Sequence, residues 1–208
     1  ALNTFATYYS DSEVIKWGLV FTASYGMNGS IVEEVVLQTD LVDFETFMAD
    51  FQSTGFNLNG SIEQNYDAIY LAIHNLIGAA ALPYQLTELK WVGNSWESSG
   101  SYPEKENWNI SWRNDAKHVI ILFSDEEGQS YFIPKLTEPV LVDMINAAND
   151  LAVYVFTSKN VINYGGVYGY ESLTLAGSVG KLYELTTGAV GMYNKLLEIL
   201  DETACGDN

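Results

Sequence analysis

Two apolar segments with a helix-length segment between them constrain the fold most strongly. Residues 118–123 and residues 151–157 are almost entirely apolar, without the alternation of polar and apolar side chains that a half-exposed strand has. Such runs are typical of strands buried on both faces of a sheet. Residues 136–150, between them, carry apolar side chains at helical spacing. This order predicts two parallel strands joined by a crossover helix.

A β-hairpin is predicted ahead of this unit. Residues 14–23 and 31–37 are rich in β-branched and aromatic side chains, and a turn sequence lies between them at 26–29. These features are typical of two antiparallel strands. Residues 83–111 contain tryptophans among Gly, Ser, Asn and Pro, and they predict an inserted loop with one possible hairpin.

Helical periodicity recurs in four further segments of the chain. They are residues 1–9, residues 40–51, the stretch from Ser61 to about Ala80, and residues 189–200. Ser61 and Gln64 have the spacing of a capping box at the start of the third segment.

The elements together predict one α/β domain. We expect it to span residues 1–200, followed by a polar tail at 201–208. Its central sheet should be mainly parallel, with one antiparallel edge hairpin and helices on both faces, in a Rossmann-like, three-layer arrangement. In such sheets, ligands bind outside the carboxyl ends of the strands.

The charge balance excludes several partner classes. The chain has 27 acidic and 9 basic residues, which gives a net charge of −18. A field of this sign repels nucleic acids and anionic membranes but attracts cations. No apolar run reaches the roughly 18 residues that cross a bilayer, so we expect no direct membrane insertion.

Two short segments place carboxylates at the predicted binding edge. Glu63 lies at the start of the predicted Ser61 helix, and Asp125, Glu126 and Glu127 follow the buried strand at 118–123. Carboxylate oxygens are the ligands of hard divalent cations such as Mg²⁺ and Ca²⁺. The alternative for Glu63 is a helix-dipole interaction, and the alternative for Asp125 is a solvated turn or a helix cap.

The sequence gives catalysis little support, so we do not expect an enzyme. It contains no Gly-x-Ser-x-Gly elbow, phosphate-binding Gly-Lys-Ser loop or dinucleotide-binding glycine fingerprint. The single cysteine, Cys205, lies in the polar tail. His74 and His118 are expected to be packing or surface residues.

The order of elements and the short motifs resemble a von Willebrand factor type A domain, and within that group the I-like domain of integrin beta subunits. Glu63-x-x-Tyr66-Asp67-Ala68-Ile69 is similar to the integrin segment in which a metal-binding Glu precedes a Phe-Asp-Ala-Ile helix. Trp112-Arg113-Asn114-Asp115-Ala116 resembles the run ahead of the strand that ends in Thr-Asp. The resemblance extends from Val14 to about Leu200.

The resemblance implies a metal-ion-dependent adhesion site, in which an acidic side chain of a protein ligand completes the coordination of Mg²⁺, Ca²⁺ or Mn²⁺. Glu63 and Asp125 would be metal ligands, and Asn57 and Asn59 would lie near a flanking calcium site. Residues expected to contact the ligand are Ser61, Glu126, Trp96 and Trp108, although the tryptophans have the alternative role of a small core under the loop.

One family motif is absent from these 208 residues. The Asp-x-Ser-x-Ser sequence of the first strand, which carries the main metal ligands in the family, does not occur. That strand belongs to a missing segment, is supplied by another chain, or has been lost with its metal site. Without it, an open sheet edge is expected, which a partner strand could fill.

The leading hypothesis is therefore an adhesion or ligand-binding module, extracellular or on the cell surface, that recognises a protein partner through a divalent cation. The alternative is a metal-free assembly or filament subunit. It would associate through its open sheet edge with a complementary chain that supplies the first strand.

Overall fold

The computed structural model describes residues 15–22, 36–53, 64–77, 85–92, 95–101, 110–130, 132–148, 150–158, 170–177, 180–185 and 188–204. The strands are β1 Trp17–Phe21, β2 Val36–Val42, β3 Gln85–Val92, β4 Ser95–Ser101, β5 His118–Ser124, β6 Phe132–Ile133, β7 Leu151–Thr157 and β8 Leu182–Glu184. The helices are α1 Phe44–Ser53, α2 Asn65–Ile73, α3 Glu138–Ala147, α4 Glu171–Leu175 and α5 Gly188–Ala204.

A parallel sheet of three strands, in the order β5-β7-β8, forms the centre of the fold. β5 and β7 pair in register from His118 opposite Leu151 to Ser124 opposite Thr157. All seven residues of β7 are buried, as its apolar sequence predicts. The chain between β5 and β7 contains α3, so the predicted crossover unit is confirmed.

The described residues also form two antiparallel sheets. β1 and β2 pair antiparallel, as predicted, with Leu19 opposite Thr39 and Phe21 opposite Val36. In the described residues they form a separate two-stranded sheet rather than an edge of the parallel sheet, and β2 covers Val36–Val42 instead of ending at Leu37. β3 and β4 form a second hairpin within the predicted insertion, and the two-residue strand β6 pairs with β3. The fold is therefore of the mixed α/β class, consistent with a Rossmann-like arrangement.

Alternate residues of the central sheet face two separate apolar cores. On one face, Val153 and Val155 of β7 pack with α2 and α3. On the other face, Tyr154 and Phe156 pack with α5. Because side chains alternate along a strand, a sheet covered in this way has apolar residues at every position.

Helix α2 is buried all round. Each of its nine residues, including the polar Asn65 and Asp67, is buried. Helical periodicity in the sequence predicts one apolar face, but the neighbouring strand, helix and loop segments enclose the helix on all sides. α2 also ends at Ile73, with a turn at 74–77, rather than near Ala80.

Several predicted element ends are wrong, and local hydrogen bonds explain one of them. The helix predicted at 40–51 begins at Phe44, because the Asp43 carboxylate accepts a 2.9 Å hydrogen bond from the Thr46 backbone N–H, as a cap does. Residues 40–42 instead extend β2. Gln64, expected inside the first turn of a capping box, is the N-cap residue of α2.

The last helices also differ from expectation. α3 covers Glu138–Ala147 instead of 136–150, with a proline in its first turn. α5 extends four residues past Leu200 into the predicted polar tail. Glu202 accounts for this extension, since its carboxylate accepts a hydrogen bond from Tyr154 at 3.2 Å and pairs with Lys181.

Candidate functional site

The start of α2 lies against the carboxyl end of β5. Asn65, fully buried, donates from Nδ2 to Ser124 Oγ at 2.9 Å and to Tyr170 Oη at 2.8 Å. Tyr170 Oη in turn donates to the backbone carbonyl of Glu126 at 2.8 Å. These bonds join α2, β5, the loop after β5 and the start of α4 at one point.

The loop after β5 turns sharply around Ser124. The Glu126 backbone N–H donates to Ser124 Oγ at 3.1 Å, and the Ser124 hydroxyl lies 3.2 Å from the Glu126 carbonyl oxygen. This turn leaves the side chain of Asp125 exposed, while Glu126 is half-buried. Ser158 Oγ, just beyond β7, contacts the Asp125 carbonyl at 3.4 Å.

Tyr66 fixes the same loop further along. Its backbone N–H donates to the Gln129 carbonyl at 3.0 Å, and its ring fills the space where a side chain at Gly128 would project. Burial raises the pKa of the Tyr66 phenol, and the nearby Glu138, Tyr170 and Glu127 raise it further. The phenol therefore stays neutral at physiological pH.

Thr157 ends β7 directly opposite Ser124. Thr157 is fully buried, and its Oγ1 has no hydrogen-bond partner among the described residues. A buried hydroxyl without a partner costs free energy, which makes this oxygen a candidate contact for a group bound at the strand ends.

The predicted site residues divide into described and undescribed ones. Asp125 and Glu126 lie together at the carboxyl end of β5. Trp96 lies in β4, where its backbone pairs with Trp91. The other predicted residues lie outside the part of the chain that the structure describes: Glu63, Asn57, Asn59, Ser61 and Trp108.

Side chains with oxygen atoms lie at the carboxyl ends of β5 and β7. Within the described ranges, no three His, Cys, Asp or Glu side chains form a metal-binding group. The Asp125 carboxylate and the Thr157 hydroxyl are nevertheless of the donor type that Mg²⁺ and Ca²⁺ take. Ser124 Oγ is not available, because it already accepts from Asn65 Nδ2 and from the Glu126 N–H. A complete ligand set would need further donors, and the sequence offers Glu63, Asn57 and Asn59.

Sequence reasoning missed Asn65, Tyr170 and Thr157. Asn65 had one available signal, because it is a polar residue at the start of a helix whose following residues are mostly apolar. Tyr170 and Thr157 carry no such signal. Both histidines are buried and contact backbone carbonyls, His74 at 3.1 Å and His118 at 2.8 Å, which agrees with a packing role.

Comparisons with known proteins identify no relative: no family model, no curated protein and no solved structure matches the chain. Among the described helices, none has the length and apolar character needed to cross a membrane. The resemblance to a von Willebrand factor type A domain stays a prediction.

Proposed function

We propose that the chain is a ligand-binding module of the adhesion type, which recognises a protein partner through a divalent cation at the carboxyl end of β5. The observation that carries the proposal is the contact between Asn65 and Ser124. It joins the two segments that the sequence singles out for metal binding, because Glu63 precedes Asn65 by two residues and Asp125 follows Ser124.

Asp125 is the residue best placed to bind the cation from the sheet. Its carboxylate is exposed at a strand end, and its backbone is held by the turn around Ser124. Glu63, Asn57 and Asn59 would supply oxygen donors from the chain ahead of α2. Mg²⁺ or Ca²⁺, with Mn²⁺ as a substitute, would neutralise these acids and attract an acidic side chain of the partner.

The extracellular or cell-surface location forms part of the same proposal. An adhesion module meets its partner there. The strong negative charge supports cation capture in general, so a test has to separate a specific site from the acidic surface.

Thermal unfolding with and without cation tests the proposal. The 208-residue chain is melted in chelator and then with millimolar Mg²⁺, Ca²⁺ or Mn²⁺ at matched ionic strength. A cation at a hundredfold excess over its Kd should add about 2.7 kcal/mol of stability, which is about 5–10 °C in Tm. Asp125→Asn should abolish most of this rise.

Asp143→Asn is the matched control, because Asp143 is exposed on α3 and the substitution removes the same charge. It should keep the full rise in Tm. If both variants show the same rise in Tm, the acidic surface causes the effect. If the Tm of the unmodified chain does not rise when cation is added, the cation site is refuted.

A further inference from the structure

A groove is lined by residues of both the hairpin and the parallel sheet. Its volume is about 1180 Å³, and its lining includes residues of β1 and β5 together with residues of β2 and α1. Small-molecule pockets typically measure about 300–1,000 Å³. The groove is therefore large enough to hold a segment of polypeptide.

The groove is bordered by strand edges. Every residue of β5 and four consecutive residues of β1, Trp17 to Val20, line it. Since side chains alternate between the two faces of a strand, only an edge presents successive residues to one cavity. In the described part of the chain, β5 pairs with β7 and β1 pairs with β2.

The two faces of the groove are apolar. Ala68, Ile69 and Ala72 of α2 line one face, where the neighbouring Ile120 and Leu122 of β5 also pack. Met192, Leu196 and Ile199 of α5 line the other, where Val119 and Ile121 pack. An occupant would therefore need apolar side chains on both of its faces.

Charged groups line the ends of β5. Arg113, Asp115 and Lys117 line the groove just before β5, and Asp125 lines it just after. The lining at the amino end of β5 thus includes two basic side chains and one acidic side chain, and the lining at its carboxyl end includes an acidic one. Lys16 lies directly before β1, on the other side.

We propose that this groove binds an extended segment of a partner protein, which adds as a strand between β1 and β5. The partner strand continues the ladder β8-β7-β5 and runs parallel to it, because both existing strand pairs of this ladder are parallel. It is about as long as the seven residues of β5. An acidic residue precedes its apolar run and a basic residue follows it, to match the charges at the ends of β5.

The chain itself contains a peptide of this chemistry to use as a probe. Residues 150–159 consist of an aspartate, the seven residues of β7, a serine and a lysine. β7 already pairs in parallel with β5. The synthetic peptide of residues 150–159 is therefore a suitable ligand, and the same peptide with its Asp and Lys exchanged tests the orientation.

Binding is measured by amide hydrogen exchange of the full chain, with and without this peptide. We expect exchange in both β1 and β5 to slow at least tenfold when the peptide is added. The charge-exchanged peptide should bind at least threefold more weakly. Binding should persist in chelator, where the Asp125 carboxylate at the carboxyl end of β5 carries no cation. Failure of the cation site and failure of peptide binding are therefore separate results.

Groove-filling variants localise the binding. Ala72→Leu should weaken peptide binding at least tenfold, whereas Ala147→Leu, the same substitution at an exposed position of α3, should not. If Ala72→Leu does not fold, Thr203→Leu on the α5 side replaces it, since Thr203 also lines the groove.

Four results would overturn the proposal. The first is no added protection in β1 and β5, and the second is protection that changes only at β7, which indicates strand exchange. The third is full protection of both edges before peptide is added, which assigns the groove to another segment of this chain. The fourth is protection that rises with protein concentration alone, which assigns it to a second copy.

Discussion

Asn65 and Ser124 are 59 residues apart in the sequence, and a buried 2.9 Å hydrogen bond joins their side chains. The bond fixes the start of α2 to the end of β5. Since Asn65 also donates to Tyr170, one side chain holds three parts of the candidate site together.

Asn65→Ala should destabilise the fold by about 1–3 kcal/mol, because the Ser124 and Tyr170 hydroxyls would lose a buried donor. Urea denaturation measures the change in the free energy of unfolding. Asn194→Ala, at an exposed position of α5, is the matched control and should have little effect. Equal stability of the two variants would show that the bridge is energetically unimportant.

Gly128→Ala should destabilise the fold by about 1–3 kcal/mol through overpacking. A Cβ atom at this position would lie 2.1 Å from Cε1 of Tyr66, and the Tyr66 residue is only 4% exposed, so its ring has little room to move. In a Tyr66→Ala background the same substitution should cost much less. Additive costs in the double-mutant cycle would assign the effect of Gly128 to something other than this ring.

Thr157→Val should raise the stability of the cation-free protein by about 1 kcal/mol, since it removes a buried hydroxyl that has no partner among the described residues. If Thr157 also contacts the proposed cation, the variant should gain less stability from added Mg²⁺ or Ca²⁺ than the unmodified chain does. Differential scanning calorimetry measures both effects. A loss of stability in chelator would mean that the hydroxyl has a favourable role in the cation-free protein.

Glu198 links α5 to the sheet in a pH-dependent way. Hydrogen bonds from Lys195 at 2.6 Å and from Lys181 at 3.0 Å lower the pKa of Glu198 to about 2. A carboxyl whose pKa is lowered in the folded state stabilises the protein above its unfolded pKa of about 4.3. This contribution is lost as the pH falls from there towards 2.

Glu198→Gln should therefore destabilise the protein at pH 7 and have progressively less effect below pH 4. The Glu198 side chain is 35% exposed, so solvent screening limits the expected cost to about 1 kcal/mol or less. Thermal unfolding of both proteins at pH 7, 4 and 3 measures it. Asp201→Asn, an exposed position on the same helix, serves as the control. A difference that stays constant with pH would exclude the ion pairs as its cause.

The sequence predicts elements best where burial alone decides the pattern. β7 has the predicted bounds 151–157, and β5 extends by one residue past the prediction, to Ser124. The start of α1 depends on the Asp43 cap, and hydrophobic periodicity carries no information about such a bond. The all-round burial of α2 depends on which elements surround it, which is a property of the tertiary structure.

The same limit applies to the candidate site. Asp125 could be placed from the sequence, because ligands of parallel sheets bind at the carboxyl ends of strands. The Asn65–Tyr170 contact joins residues 105 positions apart, and nothing local in the sequence of either residue indicates it. The groove depends on how β1 and β5 are placed relative to each other. From the sequence, only an open sheet edge is predicted.

Paramagnetic relaxation by Mn²⁺ tests the central claim most directly, because it locates a bound cation within the chain. At substoichiometric Mn²⁺, NMR amide signals of Asn65, Ser124, Asp125 and Thr157 should broaden first, and Asp125→Asn should remove this selectivity. Broadening spread over exposed acids such as Asp143 and Asp201, with none centred on Asp125, would contradict a specific cation site at the end of β5.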